Sequence, residues 1–492
     1  MGVLSNLEPQ RVFYYFEEIT RIPHGSGNVG QISDYLVEFA RSRKLEVIQD
    51  ALKNVIILKE ATPGYEAEPA VILQGHMDMV AVKEPGCPKD MRTEGLQVAV
   101  DGDNIYAEQT SLGGDDGIAV AYALALLDAQ DIPHPRLEVV ITVDEEVGMD
   151  GAREIDLSML QGNRLVNLDS EEEGVFLTGC AGGARVNCSL PLKRESCVGT
   201  ICQLAVKGLL GGHSGEEIQK ERGNSNSLFG RVLRALCESY PVRLIHVDGG
   251  LADNAIPRET RAELLFAQGG GDCQKSLDKS ELSALLEQLK KDIAAELAVR
   301  DPGFELCWEF GGEEESMAVL EEDTRRAAAL LTGLPNGVQS MSADMPGLVE
   351  TSLNLGILNL DAEGLNAEFS VRSSVESARD ALIGKLAAIT ELAGGSISVG
   401  GVYPGWKYRA DSPLRDKMIR VYREMYGCEP RVEAIHAGLE CGLLGSKIHD
   451  LDCVSIGPDM RAIHTTEESL SIASTARVWE YLLRFLAKKE AE

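Results

Sequence analysis

Long apolar runs are missing from this 492-residue chain. None approaches the roughly 20 residues that a membrane-spanning helix needs. Residues 1–22 alternate charged and apolar side chains without the apolar stretch of a signal peptide. Gly2 also lacks the Ser or Thr at position 6 that a myristoylation signal requires. Basic charge is scarce: 47 Lys and Arg stand against 78 Asp and Glu, a formal charge of −31. A field of that sign repels nucleic acid and anionic membranes, and it concentrates divalent cations. The eleven cysteines form no C-x-x-C pair and keep no regular spacing, which points to small core side chains in a reducing compartment. Neither G-x-S-x-G nor H-E-x-x-H occurs, so serine-nucleophile chemistry and the helical zinc motif have no support. These absences predict a cytoplasmic protein that binds neither nucleic acid nor membrane. What is present, 44% hydrophobic and 25% charged residues, is an ordinary soluble composition. The length allows two or three domains.

Amphipathic periodicity predicts helices over residues 8–20 and 28–43, and β-branched runs predict strands over 45–58 and 70–73. Gly75 is expected to end the latter strand by letting the backbone turn. A Gly-rich turn, Ser111-Leu112-Gly113-Gly114-Asp115-Asp116-Gly117, leads into an Ala/Leu-rich helix over 118–127. Strands follow at 137–143 and 164–168, each ending in acidic residues. Alternation of this kind argues for an α/β layer architecture. Residues 190–402 differ: they show a strand–helix–strand–strand–helix–strand order, then the same order without its opening strand. That pattern predicts an internally duplicated α+β domain of ferredoxin-like units. In its second helix Leu282, Leu285, Leu286, Leu289, Ile293 and Leu297 form one stripe, with Asp278 and Glu281 at capping-box spacing. Residues 403–492 return to the α/β pattern but are too short to bury a core alone. They are expected to complete the sheet begun by residues 1–189, which makes 190–402 an insertion.

The polar residues at strand ends and tight turns are His76, Asp78, Asp115, Glu145, Glu146, Asp169 and His464. Ligands of open α/β sheets sit outside the carboxyl ends of the strands. His76 and Asp78, at i and i+2, share a face of extended chain, as a metal-binding imidazole and its orienting carboxylate would. A strand-end His simply bonded to a nearby Asp is the alternative. Two divalent ions need about three protein ligands each, and a shared carboxylate economises. His76, Asp169 and Asp115 can hold one Zn²⁺; His464, Glu146 and the same Asp115 can hold the other. Adjacent Glu145 and Glu146 cannot point the same way from regular strand, so one is left as a free carboxylate able to act as general base.

Gly75-His76-Met77-Asp78, Gly114-Asp115-Asp116-Gly117, Asp144-Glu145-Glu146-Val147-Gly148, Leu168-Asp169-Ser170-Glu171 and Ile463-His464-Thr465 resemble, in this order, the motifs of the two-zinc metallopeptidases of the aminoacylase/carboxypeptidase family, its dipeptidase branch above all. The resemblance covers nearly the whole chain. It implies a catalytic three-layer α/β domain with a mixed sheet plus an inserted α+β lid, and hydrolysis of dipeptides by a metal-bridging water. His76 and Asp169 would bind one zinc, Glu146 and His464 the other, with Asp115 bridging. Asp78 would orient His76, and Glu145 would pass the water's proton to the leaving amine. His213, in Gly211-Gly212-His213-Ser214-Gly215, would stabilise the oxyanion, and Asn254 would assist in substrate binding. Arg372 would grip the substrate carboxylate, a task suited to a planar guanidinium. Gly438 and Glu440 match a motif lining the pocket in the dipeptidase branch. Asp116 departs from the pattern, which leads to Asn there, and alters the charge beside the bridging position.

Plainer readings stand beside these. His213 can be incidental to a Gly-rich turn, Asn254 a turn residue, Arg372 a surface residue and Glu440 a structural carboxylate. His24, His134, His246 and His449 lack acidic partners at suggestive spacing and are expected on the surface. The acidic run 171–173 is expected to be a solvated face. Mn²⁺ or Co²⁺ would accept the same nitrogen and oxygen ligands as Zn²⁺. An N-acyl-amino-acid deacylase or tripeptidase with the same metals is the alternative activity, and a non-catalytic metal-binding protein a third. Monomer and homodimer both stay open.

Overall fold

The computed structural model describes residues 2–267 and 277–490. Two compact units result. One comprises Met1–Gly179, Trp406–Ala434 and Leu439–Glu492; the other comprises Cys180–Gly405 and Ile435–Gly438. The boundary expected at 189/190 falls inside the strand Gly182–Pro191, which belongs to the second unit because its partners lie there.

The first unit is built on an eight-stranded mixed sheet. Its order is Glu46–Gln49, Val55–Lys59, Leu137–Thr142, Val71–His76, Arg164–Asn167, Asp452–Ser455, Val175–Cys180 and Arg431–Ile435. The segment 45–58, expected as one strand, is a hairpin: Glu46–Gln49 runs antiparallel to Val55–Lys59, and Lys53 takes a positive φ of 83° in the turn. The C-terminal segment does complete this sheet, with Asp452–Ser455 parallel to Arg164–Asn167. Val71–His76 lies between two parallel neighbours and is buried along its whole length. Buried parallel strands read as continuous apolar runs, as 71–73 does. Four parallel strands therefore end at one edge, where ligands of such sheets gather.

The helix Gly114–Asp128 is apolar on nearly every side, and all its residues but the last are buried. It packs against the strand Val71–His76 and the helix Gln10–Thr20. Gly75 lies within its strand rather than ending it. A Cβ there would stand 2.6 Å from Ala119 Cβ and 2.4 Å from Asp116 Oδ2. Close approach of the helix, not a turn, is what requires glycine. A small sheet of Met460–Arg461, Ser469–Ser471, Asn104–Ala107 and Val98–Asp101 holds the loop 462–468 between its first two strands.

The second unit is antiparallel, with neighbouring strands in the order Glu305–Val319, Arg194–Lys207, Thr260–Ala267, Val242–Gly249, Val349–Leu360, Gly364–Ser373, Gly182–Pro191 and Ser396–Tyr403; Gly337–Met341 adds to Val349–Leu360. In the first half, the opening strand Arg194–Lys207 sits between the half's fourth and third strands. Gly182–Pro191 takes the corresponding place in the second half, supplying the opening strand absent from that half's own sequence. The halves join through Asp248↔Asn359 and Gly249↔Leu358. The helix Lys279–Leu297 is capped by Asp278, whose side chain accepts from the amides of Ser280 and Glu281. Among the described residues, no helix is long and apolar enough to cross a membrane.

Candidate metal centre

The carboxyl edge of the first unit's sheet brings five dispersed residues together. His76 ends its strand, and its Nε2 stands 3.2 Å from Asp115 Oδ1 and 3.6 Å from Asp169 Oδ1. His464, from the 462–468 loop, places Nε2 3.1 Å from Asp115 Oδ2 and 2.9 Å from Glu146 Oε1. Each oxygen of Asp115 thus faces a different imidazole. The ligand atoms of His76, Asp115 and Glu146 lie within 4.8 Å of one another, as do those of His76, Asp116 and Asp169. Carboxylates and imidazoles in this mixture are the hard-to-borderline donor set of divalent transition metals.

The charge states follow from this crowding. Burial pulls the His76 imidazole down, but Asp115, Asp169 and Asp78 outweigh it and raise its pKa well above the usual range. Asp115 and Glu146 raise His464 to about 10. Burial disfavours an ionised Asp115, yet His464 and His76 hold it below the ordinary carboxylate range. Burial lifts Asp169 to about 6. Without cations, the two imidazoles therefore carry protons, which a metal bound there would have to displace.

Asp78 has more partners than an orienting role for His76 requires. His76 Nδ1 lies 3.0 Å from the Asp78 carbonyl oxygen and 3.5 Å from Oδ1. The carboxylate also accepts from the backbone amides of Glu145 (3.1 Å) and Glu146 (3.4 Å) and from the Ser26 hydroxyl (2.8 Å). Asp144, at φ 54°, accepts from the Gly27 amide at 2.6 Å. The loop 24–28 and Asp78 together fix the turn that separates the two glutamates. Glu146 faces His464, and among the described residues Glu145 forms no ion pair with either imidazole. Burial, reinforced by Asp169, Glu440 and Glu146, raises the Glu145 pKa well above the usual carboxylate range, against the opposing effect of His76.

Several placements differ from expectation. Glu440, expected to line a substrate pocket, is fully buried. Its Oε2 accepts from Gln74 Nε2 at 2.5 Å and Thr142 Oγ1 at 2.6 Å. Gln74 in turn accepts from Asn167 at 2.6 Å. His24 and His134 are buried rather than on the surface, their rings bonded to the carbonyls of Ile22 and Pro135; His246 and His449 are exposed. Asp116 is buried, accepts from the His76 amide at 3.2 Å, and leaves Oδ1 without a hydrogen bond. Glu468, a residue the sequence did not single out, is buried with both oxygens on the amides of the 112–115 loop.

The second unit carries the other expected residues. His213 pairs with Ala255 in a short ribbon, and the Ser214 amide donates to the Asn254 carbonyl at 2.8 Å, so His213 and Asn254 are neighbours. His213 Nδ1 accepts from the Glu216 amide at 3.2 Å, which leaves Nε2 as the ring's N–H. Burial and Arg372 lower the pKa of His213. Arg372 is buried, donates to the Tyr403 hydroxyl at 3.2 Å and leaves Nε unbonded. Its cross-strand neighbour Ser352 bonds His436 Nε2 at 2.7 Å. Burial and Arg372 push His436 down to about 3, so that ring is neutral. Tyr403 and Ser352 carried no sequence signal, and His436 was marked only by standing two residues before Gly438. Gly438 closes the loop just after His436 and is partly buried.

Comparison with known proteins places these features in context. A family model described as peptidase family M20/M25/M40 matches residues 72–488. The cytosol non-specific dipeptidase of Escherichia coli (strain K12) is 36% identical, with 100% of both chains covered. The crystal structure of aminoacylhistidine dipeptidase from Vibrio alginolyticus matches with a TM-score of 0.90 at 35% identity, covering 98% of this chain and 97% of that one. Aminopeptidase PepT from Bacillus cereus shares the fold, with a TM-score of 0.54 at 15% identity over 99% of this chain and 100% of its own.

Proposed function

The chain belongs to the peptidase family M20/M25/M40, and on that premise we propose that it hydrolyses dipeptides, Xaa-His among them, at a pair of divalent metal ions. The observation that carries this reading is Asp115, whose two oxygens face His76 and His464 separately. That is the arrangement expected of a carboxylate shared between two ions. His76 and Asp169 would hold one ion and His464 and Glu146 the other. Zn²⁺ suits the donors best, with Mn²⁺ or Co²⁺ as substitutes. Bound there, the ions would supply Lewis-acid polarisation of the scissile carbonyl and acidify a water.

The chain's own residues account for the rest. Glu145 forms no ion pair with either imidazole among the described residues, and it takes the water's proton and returns it to the leaving amine. Asp78 fixes the His76 ring and, through the amides of Glu145 and Glu146, the position of the base. In the second unit, Arg372 offers a buried guanidinium suited to a peptide carboxylate. His213 offers an N–H suited to a developing oxyanion, with Asn254 and Gly438 assigned to substrate binding. The match to a relative named for the cytosol, together with ten free cysteines among the described residues, supports a reducing, cytosolic setting.

The test is a substrate panel on metal-stripped and reconstituted enzyme. Alanyl-histidine and other dipeptides are expected to be cleaved only after metal is restored. Preference for tripeptides or N-acetyl amino acids would move the substrate assignment, and full turnover without metal would remove the mechanism.

A further inference from the structure

Glu468 lies four residues after His464 in the loop that links Met460–Arg461 to Ser469–Ser471. Its side chain reaches across to the turn carrying Asp115. Oε2 accepts from the amides of Leu112 (2.8 Å) and Gly113 (3.1 Å), and Oε1 from those of Gly114 (2.8 Å) and Asp115 (3.4 Å). The carboxylate is 3% exposed. Four converging amides at the start of the helix Gly114–Asp128 are well suited to a carboxylate. Gly113 takes a positive φ of 68° in this turn, which directs the amides that follow it. The approach is close: a Cβ on Gly114 would stand 3.3 Å from Oε1.

One short loop therefore grips Asp115 twice. His464 Nε2 faces the side-chain oxygen Oδ2 at 3.1 Å, and Glu468 takes the backbone amide of the same residue. We infer that Glu468 is a positioning residue for the shared carboxylate: it sets where Asp115 stands between His76 and His464, and so couples the two metal positions. The inference rests on the two-metal reading above. An acid that served only to cap the helix would need two amides at most. Glu468 instead spreads its oxygens over four consecutive amides, the last belonging to the bridging residue itself. Glutamine has the same length but only one accepting oxygen. Its NH₂ would face two amide donors wherever it was turned.

The test compares wild type, Glu468→Gln and Glu468→Asp as full-length, metal-stripped proteins titrated with Co²⁺. Calorimetry and the visible spectrum of the bound ion are the readouts, with kcat and KM measured alongside. Wild type is expected to take up two ions. Glu468→Gln is expected to bind about 10- to 100-fold more weakly, the usual cost of losing an outer partner of a ligand. Its Co²⁺ spectrum should change, and kcat should fall more than KM rises. Glu468→Asp, keeping charge on a shorter arm, should recover part of each. If Glu468→Gln does not fold, Glu468→Asp carries the comparison with the same readouts. Wild-type Co²⁺ affinity and spectrum in the variant, whatever its resistance to urea, would reduce Glu468 to a structural cap and overturn the inference alone. Wild type taking up fewer than two ions would overturn the two-metal reading, and this inference with it.

Discussion

Glu440 offers the sharpest quantitative test of how the protein handles buried charge near the proposed metal ligands. Its carboxyl group is completely buried, and burial holds its pKa at about 8 against an ordinary 4.5. Below pH 4.5 both folded and unfolded chains are protonated there, and the group's contribution to stability is fully present. Above that value the unfolded chain releases the proton first. Stability is then lost as pH rises, at about 1.4 kcal/mol per unit until the folded carboxyl ionises near pH 8. Glu440→Gln keeps the shape and an oxygen for Gln74 and Thr142, and it cannot titrate. Because Oε1 has no hydrogen-bond partner, an NH₂ in its place breaks no existing hydrogen bond, and its cost is the same at every pH. Urea unfolding of the metal-free proteins should therefore show the variant gaining on wild type between pH 5.5 and 7.5. The gain should be about 3 kcal/mol, from two pH units at the rate above. Metal-free protein is essential, since bound cations would favour the ionised form. A stability difference that does not change between those two pH values would refute the argument, and with it the claim that Glu440 is neutral in the folded protein.

Four further outcomes are expected. Glu145→Gln should retain two bound ions by elemental analysis while kcat falls about 10²- to 10⁴-fold, the usual span for a lost general base; unchanged turnover would remove that assignment. Asp78→Ala should leave metal largely bound but lower turnover about 10- to 100-fold, because the amides of Glu145 and Glu146 lose their anchor; turnover equal to wild type would show the anchor to be dispensable. Metal binding near pH 7 should release protons from His76 and His464, whose pKa values are raised in the metal-free state, so affinity should climb with pH. Calorimetry in buffers of differing ionisation enthalpy measures this, and a buffer-independent heat would contradict it. Arg372→Lys should raise KM for dipeptides with a free carboxylate and leave C-terminally amidated ones unaffected; an equal effect on both would sever Arg372 from the carboxylate.

The residues most legible in the sequence were those whose chemistry is announced by position. His76, the Glu145–Glu146 pair and Asp169 each follow an apolar strand, and parallel strands in one sheet bring such ends to one edge. Asp115 was marked by its glycines, and His464 by its place in a turn and by resemblance. The sequence reading failed where a role depends on what approaches from elsewhere. Gly75 looked like a strand terminator, but its meaning comes from Ala119 and Asp116 on a helix forty residues away in sequence. Glu440 matched a pocket-lining motif, with a structural carboxylate as the plainer reading; its surroundings, Gln74, Thr142 and Asn167, come from three separate strands. The duplicated half of the second unit seemed to lack a strand because Gly182–Pro191 precedes the first half in the chain.

Glu468 shows why such omissions are systematic. The second of two adjacent glutamates in the run Thr465-Thr466-Glu467-Glu468 has no periodicity, no flanking glycine and no strand end to distinguish it from a solvated acid. Its significance is carried by four backbone amides, and backbone amides are the same at every non-proline position. Sequence records side chains, so it displays a ligand His or Asp but hides the donors that hold that ligand in place. The candidate metal ligands could therefore be proposed from the sequence, while Glu468, proposed to hold one of them in position, became visible only in the folded chain.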